Sequence, residues 1–299
     1  MNYIGRFAPS PTGPLHFGSL SCALASYLDA RHNNGRWLVR IEDIDPPREV
    51  PGAADNILHT LEQHGLEWDD KVVWQSARSN VYREAIAQLQ QAELIYPCSC
   101  TRRELNLVNG IYNGHCRTTP PAATKPLALR LKLYQLPAPF SQLDDTVCFD
   151  DLLQGRQTQD LAQEVGDAVI MRKDGLFAYQ LAVVIDDIAQ GITHVIRGAD
   201  LLPVTARQIR LFQLCRAASP RYGHIPVALG DNGCKLSKQN HAPALNKHQT
   251  RENLWRALTF LRQNPPKALG REPPATILAW ACNHWQRSAL SGIASQQTP

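Results

Sequence analysis

The chain has 299 residues, 43% of them apolar and 19% charged, with a formal net charge of +4 and a mean hydropathy of −0.30. A chain of this kind can bury a sizeable core as one large domain or two modest ones, which excludes wholesale disorder. No stretch approaches the roughly 18 uninterrupted apolar residues of a membrane helix, the first residues lack a signal-peptide layout, and eight cysteines are too sparse for a disulfide scaffold. The expectation is a cytoplasmic protein with no membrane partner; the charge permits an anionic partner without demanding one.

In chain order, Tyr3 to Phe7 is expected as a strand and Ser19 to Arg31 as a helix with Leu20, Leu24, Tyr27 and Leu28 on one face. Asn34-Gly35 stops that helix, and Trp37 to Ile41 follows as a second strand. This order implies a parallel α/β sheet with right-handed crossovers. Further helices are expected over Ala53 to His64 and over Ser79 to Ala92, where Tyr82, Ala85, Ile86 and Leu89 align. From Tyr96 to Asp150 the periodicity breaks up around a cysteine cluster and two Pro-rich stretches, as in an inserted subdomain with short strands such as Leu127 to Leu133. Strand signals resume at Ala168 to Met171 and Thr193 to Arg197, completing the core sheet, with helices from Tyr179 and over Leu202 to Ala217. After a Gly-containing loop, Gly230 to Lys238, two helices are expected, one from Thr250 with Leu254, Leu258 and Leu261, the other after Pro273-Pro274 with Ile277, Ala281 and Trp285. The tail from Leu290 is expected to fray.

Two motifs point to phosphate chemistry. The first strand runs through Pro9-Ser10-Pro11-Thr12-Gly13-Pro14-Leu15-His16-Phe17-Gly18-Ser19 into a helix. Gly13 and Gly18 allow close approach, the helix N-terminus offers unpaired N–H groups, and His16 can donate to phosphate oxygens. Far along the chain, Lys235 and Lys238 flank a serine in the Gly230 to Lys238 loop, where they can neutralise a triphosphate and the charge that develops on it. Either motif alone has a bland explanation; together they are specific.

With these residues the chain resembles class I aminoacyl-tRNA synthetases of the glutamyl type. His16-Phe17-Gly18-Ser19 matches the HIGH signature and Lys235-Leu236-Ser237-Lys238-Gln239 the KMSKS signature. Arg6 through Gly13, Arg40-Ile41-Glu42-Asp43-Ile44-Asp45, Tyr179-Gln180-Leu181-Ala182 through Asp186-Asp187, and Arg197-Gly198-Ala199-Asp200 extend the match. The resemblance implies a Rossmann-like catalytic domain with a parallel sheet, an inserted zinc-bearing, acceptor-binding subdomain and ATP with Mg2+. The expected divisions are 1–95 and 166–240 for the two halves of the catalytic domain, 96–165 for the insert and 241–299 for a short helical segment. Ser19 in place of the second signature histidine and Gln239 in place of the last serine leave ATP handling similar but slower. The roughly 60 residues after the loop are too few for a large anticodon-binding domain. In this the chain is most similar to the glutamyl-queuosine tRNA(Asp) synthetases.

Glutamate carries one ammonium and two carboxylates, so its pocket needs an acidic group and about two strong donors. Arg6, Arg197 and Tyr179 can hold the carboxylates, Glu42 the ammonium, and Ser10 adds a hydrogen bond; taken singly, each could be a surface charge or a half-buried core residue. The resemblance in order and spacing favours the set as ligands, with Pro9, Thr12, His16, Gly18, Ser19 and Lys238 toward ATP and His16, Lys235 and Lys238 assisting catalysis. Cys98 and Cys100 form a short knuckle to which Cys116 adds a third thiolate, a set suited to one structural zinc. Tyr112, four residues before Cys116, is the preferred fourth ligand, as the resemblance also implies, with His115 as the alternative. Arg207, Arg210 and Arg216 read either as the polar side of a helix or as contacts to RNA.

The expected activity is adenylation of L-glutamate by ATP without tRNA, then transfer to the queuosine of tRNA(Asp), by a monomer. A minimal synthetase charging the tRNA 3′ end is the alternative. A non-catalytic RNA- or ATP-binding module is disfavoured, because it needs no amino-acid pocket.

Overall fold

The structure, a computed structural model, describes residues 2–101, 103–104, 111–122, 126–230, 233, 235–236, 243–246 and 248–298. It opens with β1 (Ile4–Phe7), α1 (Phe17–His32), β2 (Arg36–Ile41), α2 (Ala53–Gln63) and β3 (Val73–Trp74). The three strands pair in parallel in the order β1-β2-β3, with Gly5 opposite Trp37 and Arg40 opposite Val73. β2 is buried from Trp37 to Ile41, the pattern of a parallel strand covered on both faces. α1 starts two residues earlier than its apolar pattern suggests because the His16 side chain caps it, accepting the Ser19 N–H at 3.3 Å. Its exit requires Gly35, where a side chain would meet the Tyr3 carbonyl oxygen at 2.6 Å.

α3 (Ser79–Gln91) is followed by β4 (Ile95–Cys98), α4 (His115–Thr118), β5 (Ala128–Leu131), β6 (Thr146–Asp151), β7 (Gly155–Asp160) and β8 (Ala168–Met171). Here the pairing is antiparallel: β6 with β7, and β4-β5-β8 as one sheet. The strand at Ala168–Met171 therefore extends this antiparallel sheet instead of resuming the parallel core, and β7, Gly-Arg-Gln-Thr-Gln-Asp, carries no apolar signal of its own.

The chain then runs through α5 (Tyr179–Ala189), β9 (His194–Gly198), α6 (Thr205–Leu214), β10 (Arg221–Ile225), β11 (Val227–Leu229), α7 (Thr250–Phe260), α8 (Pro274–His284) and β12 (Ser295–Gln297). β9 and β10 pair in parallel, and the Thr193 N–H donates to the Ile4 carbonyl at 2.9 Å, which seats this pair beside β1. The helix expected over Leu202 to Ala217 is shorter: residues 199–204 form a 3-10 turn containing Pro203, and the α-helix begins at Thr205.

One core cluster joins α1 and β2 to the C-terminal helices through Leu24, Leu28, Trp37, Leu254, Leu258, Ile277 and Leu290, all fully buried; a second packs α3, α5 and α6 on the antiparallel sheet of β5 and β8. The tail does not fray. Leu290 is fully buried, and β12 pairs in parallel with β11. Arg210 is no solvent-facing helix residue either: it is buried and donates to the Asp144 carbonyl, while Arg207 is half-buried. Among the described residues no helix is long and apolar enough to cross a membrane.

Candidate active site

The C-terminal ends of β1, β2 and β9, the start of α1 and of α5, and Lys235-Leu236 surround one cavity of about 340 Å3. Arg6, Pro9, Ser10, Thr12, His16, Gly18, Ser19, Glu42, Tyr179, Arg197 and Lys235 all line it. The remaining expected residue, Lys238, lies outside the described residues, as do Ser237 and Gln239. A crevice at the C-terminal ends of parallel strands is where α/β sheets bind ligands.

At one end the chemistry is a buried charge network. Arg6 donates to Asp187 from Nε at 3.3 Å and from Nη2 at 3.2 Å. Arg40 Nη2 donates to Asp187 Oδ1, the oxygen that also accepts from Arg6 Nε, at 2.8 Å, and Arg40 Nη1 to Gln190 Oε1 at 2.6 Å. Asp186, behind them, accepts from Gln75 at 2.8 Å, Arg78 at 2.5 Å and the Tyr82 hydroxyl at 2.7 Å. Glu42 is buried in this network, and its Oε1 has no hydrogen-bond partner among the described residues. Burial pushes its carboxyl up to about 7, reinforced by Asp187 and Asp186 and opposed by Arg40 and Arg6. A buried carboxylate oxygen facing a cavity without a donor suits an ammonium ligand.

Arg197, also buried, is different. Its Nε donates to His224 Nε2 at 3.0 Å, Nη1 to Gln208 Oε1 at 2.8 Å, and Nη2 to Thr205 Oγ1 at 2.8 Å and the Leu201 carbonyl at 3.4 Å. Every one of these acceptors is neutral. A buried guanidinium held only by neutral groups on the wall of a cavity suits a carboxylate from a ligand. Arg6, by contrast, already has Asp187.

At the other end, the N-terminus of α1 opens on the cavity. His16 Nε2 and Ser19 Oγ lie 3.0 Å apart and hydrogen-bond each other. Gly13 has a φ of 131°, a conformation that a side chain would strain, and it lies where the chain turns toward α1. Lys235 bridges back to Leu229, and its Nζ lies 2.6 Å from Asp200 Oδ2.

The sulfurs of Cys98, Cys100 and Cys116 all lie within 4.8 Å of one another, a spacing that could hold a metal ion. The Tyr112 oxygen is 3.8 Å from Cys98 Sγ and accepts the Cys116 backbone N–H at 2.7 Å, whereas His115 is exposed. Gly166 permits this packing: with φ of 67°, it crosses Tyr112 so closely that a side chain would strike the Tyr112 carbonyl. Three thiols and a phenol form a soft, closed donor set suited to a tetrahedral metal.

Sequence reasoning missed several groups. Asp187 and Asp200 lay in recognised motifs but had been given no role. Asp151 and His224 carried no signal, since their pairing depends on β6 meeting β10.

Residues 4–262 match the family described as tRNA synthetases class I (E and Q), catalytic domain. A protein of Aromatoleum aromaticum named glutamyl-Q tRNA(Asp) synthetase is 49% identical over 95% of this chain and 89% of its own length. Its counterpart from Vibrio cholerae is 48% identical over 97% and 92%, and that of Escherichia coli K12 is 51% identical over 96% and 90%. In fold, the chain is similar to a glutamate tRNA ligase from Elizabethkingia meningosepticum solved in complex with its amino acid, with a TM-score of 0.81, 24% identity, and coverage of 100% of this chain and 67% of that one. By the catalytic-domain match and by relatives half identical over nearly its whole length, the chain belongs to the glutamyl-Q tRNA(Asp) synthetase family of class I tRNA synthetases.

Proposed function

We propose that this ligase activates glutamate with ATP and Mg2+, without tRNA, and then transfers the glutamyl group to the queuosine of tRNA(Asp). A carboxylate oxygen of glutamate attacks the α-phosphorus of ATP, its bond to the β-phosphate oxygen breaks, and pyrophosphate leaves with the electron pair. A hydroxyl of the modified base then attacks the glutamyl carbonyl, and AMP departs. The observation that carries this reading is the pairing, on one cavity wall, of an orphaned buried carboxylate at Glu42 with a buried guanidinium held only by neutral acceptors at Arg197. An amino acid with an ammonium and a side-chain carboxylate complements both.

Glu42 takes the ammonium, Arg197 a carboxylate, and Arg6, Tyr179 and Ser10 complete the glutamate end. Pro9, Thr12, Gly18 and Ser19 lie toward ATP, whose phosphates meet His16 and the N-terminus of α1. Lys235 and Lys238 neutralise the departing pyrophosphate. One structural zinc is held by Cys98, Cys100, Cys116 and Tyr112, leaving no open position for an activated water. Residues 96–165 serve as the zinc-bearing acceptor-binding insert between catalytic halves 1–95 and 166–240, with 241–299 as the helical end of a cytoplasmic monomer.

The names of the half-identical relatives support the tRNA target. Charging queuosine-containing and queuosine-free tRNA(Asp) with labelled glutamate tests it. Label is expected only on the queuosine form and away from the 3′ ribose, with ATP–pyrophosphate exchange running in the absence of tRNA. Equal charging of both tRNAs, or attachment at the 3′ end, contradicts the reading.

A further inference from the structure

Arg197 is held through a chain of buried groups that begins on the insert. Asp151, the last residue of β6, places its Oδ2 at 2.5 Å from His224 Nδ1, and His224 Nε2 receives the Arg197 Nε–H at 3.0 Å. Asp151 and His224 sit on different strands, and neither lines the cavity. His224 is completely buried and Asp151 nearly so.

The proton positions follow from donor chemistry. A guanidinium cannot accept a hydrogen bond, so His224 Nε2 must carry a lone pair where Arg197 meets it. The imidazole hydrogen therefore sits on Nδ1, where it donates to Asp151, and the ring is neutral. Burial depresses the His224 pKa below its ordinary value, partly opposed by Asp151 and aided by Arg197, which agrees with that state. The other carboxylate oxygen, Asp151 Oδ1, is occupied by the backbone N–H groups of Leu153 at 3.0 Å, Gln154 at 2.9 Å and His224 at 3.1 Å. One oxygen thus holds the turn after β6, and the other selects the histidine tautomer.

The guanidinium is fixed on three sides. His224 takes Nε, Gln208 takes one Nη1 hydrogen, and Thr205 with the Leu201 carbonyl takes Nη2, while the Tyr222 ring lies 5.0 Å below its carbon. Of five N–H groups, this leaves the second one on Nη1 for a ligand.

We infer that Asp151 and His224 are positioning residues for glutamate recognition: the Asp151 carboxylate sets the His224 tautomer, and the bare Nε2 of His224 aims Arg197 at a substrate carboxylate. This rests on the reading of Arg197 as a glutamate ligand. The Asp151–His224 pair reaches the cavity through Arg197, both directly and by way of Thr205, whose Oγ1 lies 3.2 Å from His224 Nε2 and accepts from Arg197 Nη2, so its influence falls on glutamate and leaves ATP untouched.

The test is glutamate-dependent ATP–pyrophosphate exchange with the full-length enzyme. Asp151→Asn keeps an oxygen for the three backbone N–H groups but turns an amide N–H2 toward His224 Nδ1. The ring hydrogen is driven to Nε2, where it faces the Arg197 Nε–H, donor against donor. The glutamate KM is expected to rise at least tenfold, with the ATP KM within twofold of the parent. His224→Ala, which removes the acceptor outright, is expected to act in the same direction and serves if the first variant is insoluble. In an Arg197→Ala background, Asp151→Asn is expected to lower kcat/KM for glutamate no further, because groups acting through one residue are not additive. A folded variant with parental glutamate KM, an equal rise in the ATP KM, or a further loss in the Arg197→Ala background overturns the relay. Parent enzyme without glutamate-dependent exchange overturns the reading of the site and the relay with it; an active parent with unaffected variants overturns the relay alone.

Discussion

Glu42 Oε1 stands 3.6 Å from Arg40 Nη2, near enough to feel its charge and too far to accept its hydrogen. Arg40 is spent instead on Asp187 and Gln190. Among the described residues no donor reaches Glu42 Oε1, and burial carries the carboxyl up to about 7. An ammonium ligand needs the ionised form, so the free enzyme must shed this proton before glutamate binds. The groups facing Glu42 are Arg40, Arg6, Asp187, Asp186 and the buried hydroxyl of Tyr179, which burial and Glu42 push up and hold neutral, and the two arginines stay charged throughout. A raised pKa means that the binding-competent form is lost as pH falls through about 7. Glutamate itself keeps its ammonium and carboxylates in that window. The glutamate KM is expected to climb about tenfold per pH unit below that point and to level above it. Exchange kinetics between acid and mildly alkaline pH check this; a flat KM contradicts it.

Arg6 and Arg197 are expected to fail in different ways. Removing Arg6 leaves Asp187 buried with Arg40 as its remaining cation, and breaking a buried pair costs about 3 kcal/mol. Arg6→Ala should therefore lower the melting temperature as well as glutamate binding. Among the described residues Arg197 holds no carboxylate, so Arg197→Ala strands no charge there and should impair glutamate recognition by about a hundredfold with a smaller loss of stability. Thermal melts beside glutamate KM values separate the two, and equal melting temperatures with equal KM values would merge the roles assigned here.

What the sequence made legible follows the range of the physics involved. β1, α1, β2, α2 and α3 were readable because each carries a local apolar run or period bounded by stop signals, and the residues that line the cavity were readable because short motifs hold them together. The β6–β7 hairpin was not: Gly155–Asp160 is GRQTQD, polar on both faces, and becomes a strand only by pairing with Thr146–Asp151. Ala168–Met171 reads as a buried core strand, and nothing local distinguishes β5 as its neighbour from the parallel sheet. β12, Ser-Gln-Gln, has no strand signal at all and is fixed by β11 and by the buried Leu290. Asp151 and His224 lie 73 residues apart, beyond any spacing rule.

Lys235 is half-exposed and paired with Asp200 at 2.6 Å. In the proposed reaction it serves the departing pyrophosphate, where charge grows only in the transition state. Lys235→Ala should lower kcat for adenylation by about 10²- to 10³-fold while the glutamate KM stays near the parent value. Asp200→Asn, which weakens the hold on the lysine, should change kcat far less. Unchanged kcat with only a raised glutamate KM in Lys235→Ala would remove the lysine from the phosphate end.

The cysteine cluster lies between β4 and α4, apart from the cavity. Cys98 ends β4, Cys116 sits in α4, and Cys98 Sγ also receives Arg130 Nε at 3.2 Å, a buried cation that offsets thiolate charge. Three thiolates and a phenolate around Zn2+ carry a net charge of about −2, so that guanidinium favours the metal-bound state. Metal would tie Cys98 and Cys100 to Tyr112 and Cys116 across the insert, and its binding energy would be folding energy there. One zinc per chain is expected by elemental analysis. Cys98→Ser should lose it, loosen the segment from Tyr96 to Arg117 in hydrogen exchange, and cut transfer to tRNA, while tRNA-independent glutamate adenylation survives in part because none of the four ligands lines the cavity. Native protein without zinc, or a Cys98→Ser variant with full metal content and full transfer, would refute the centre.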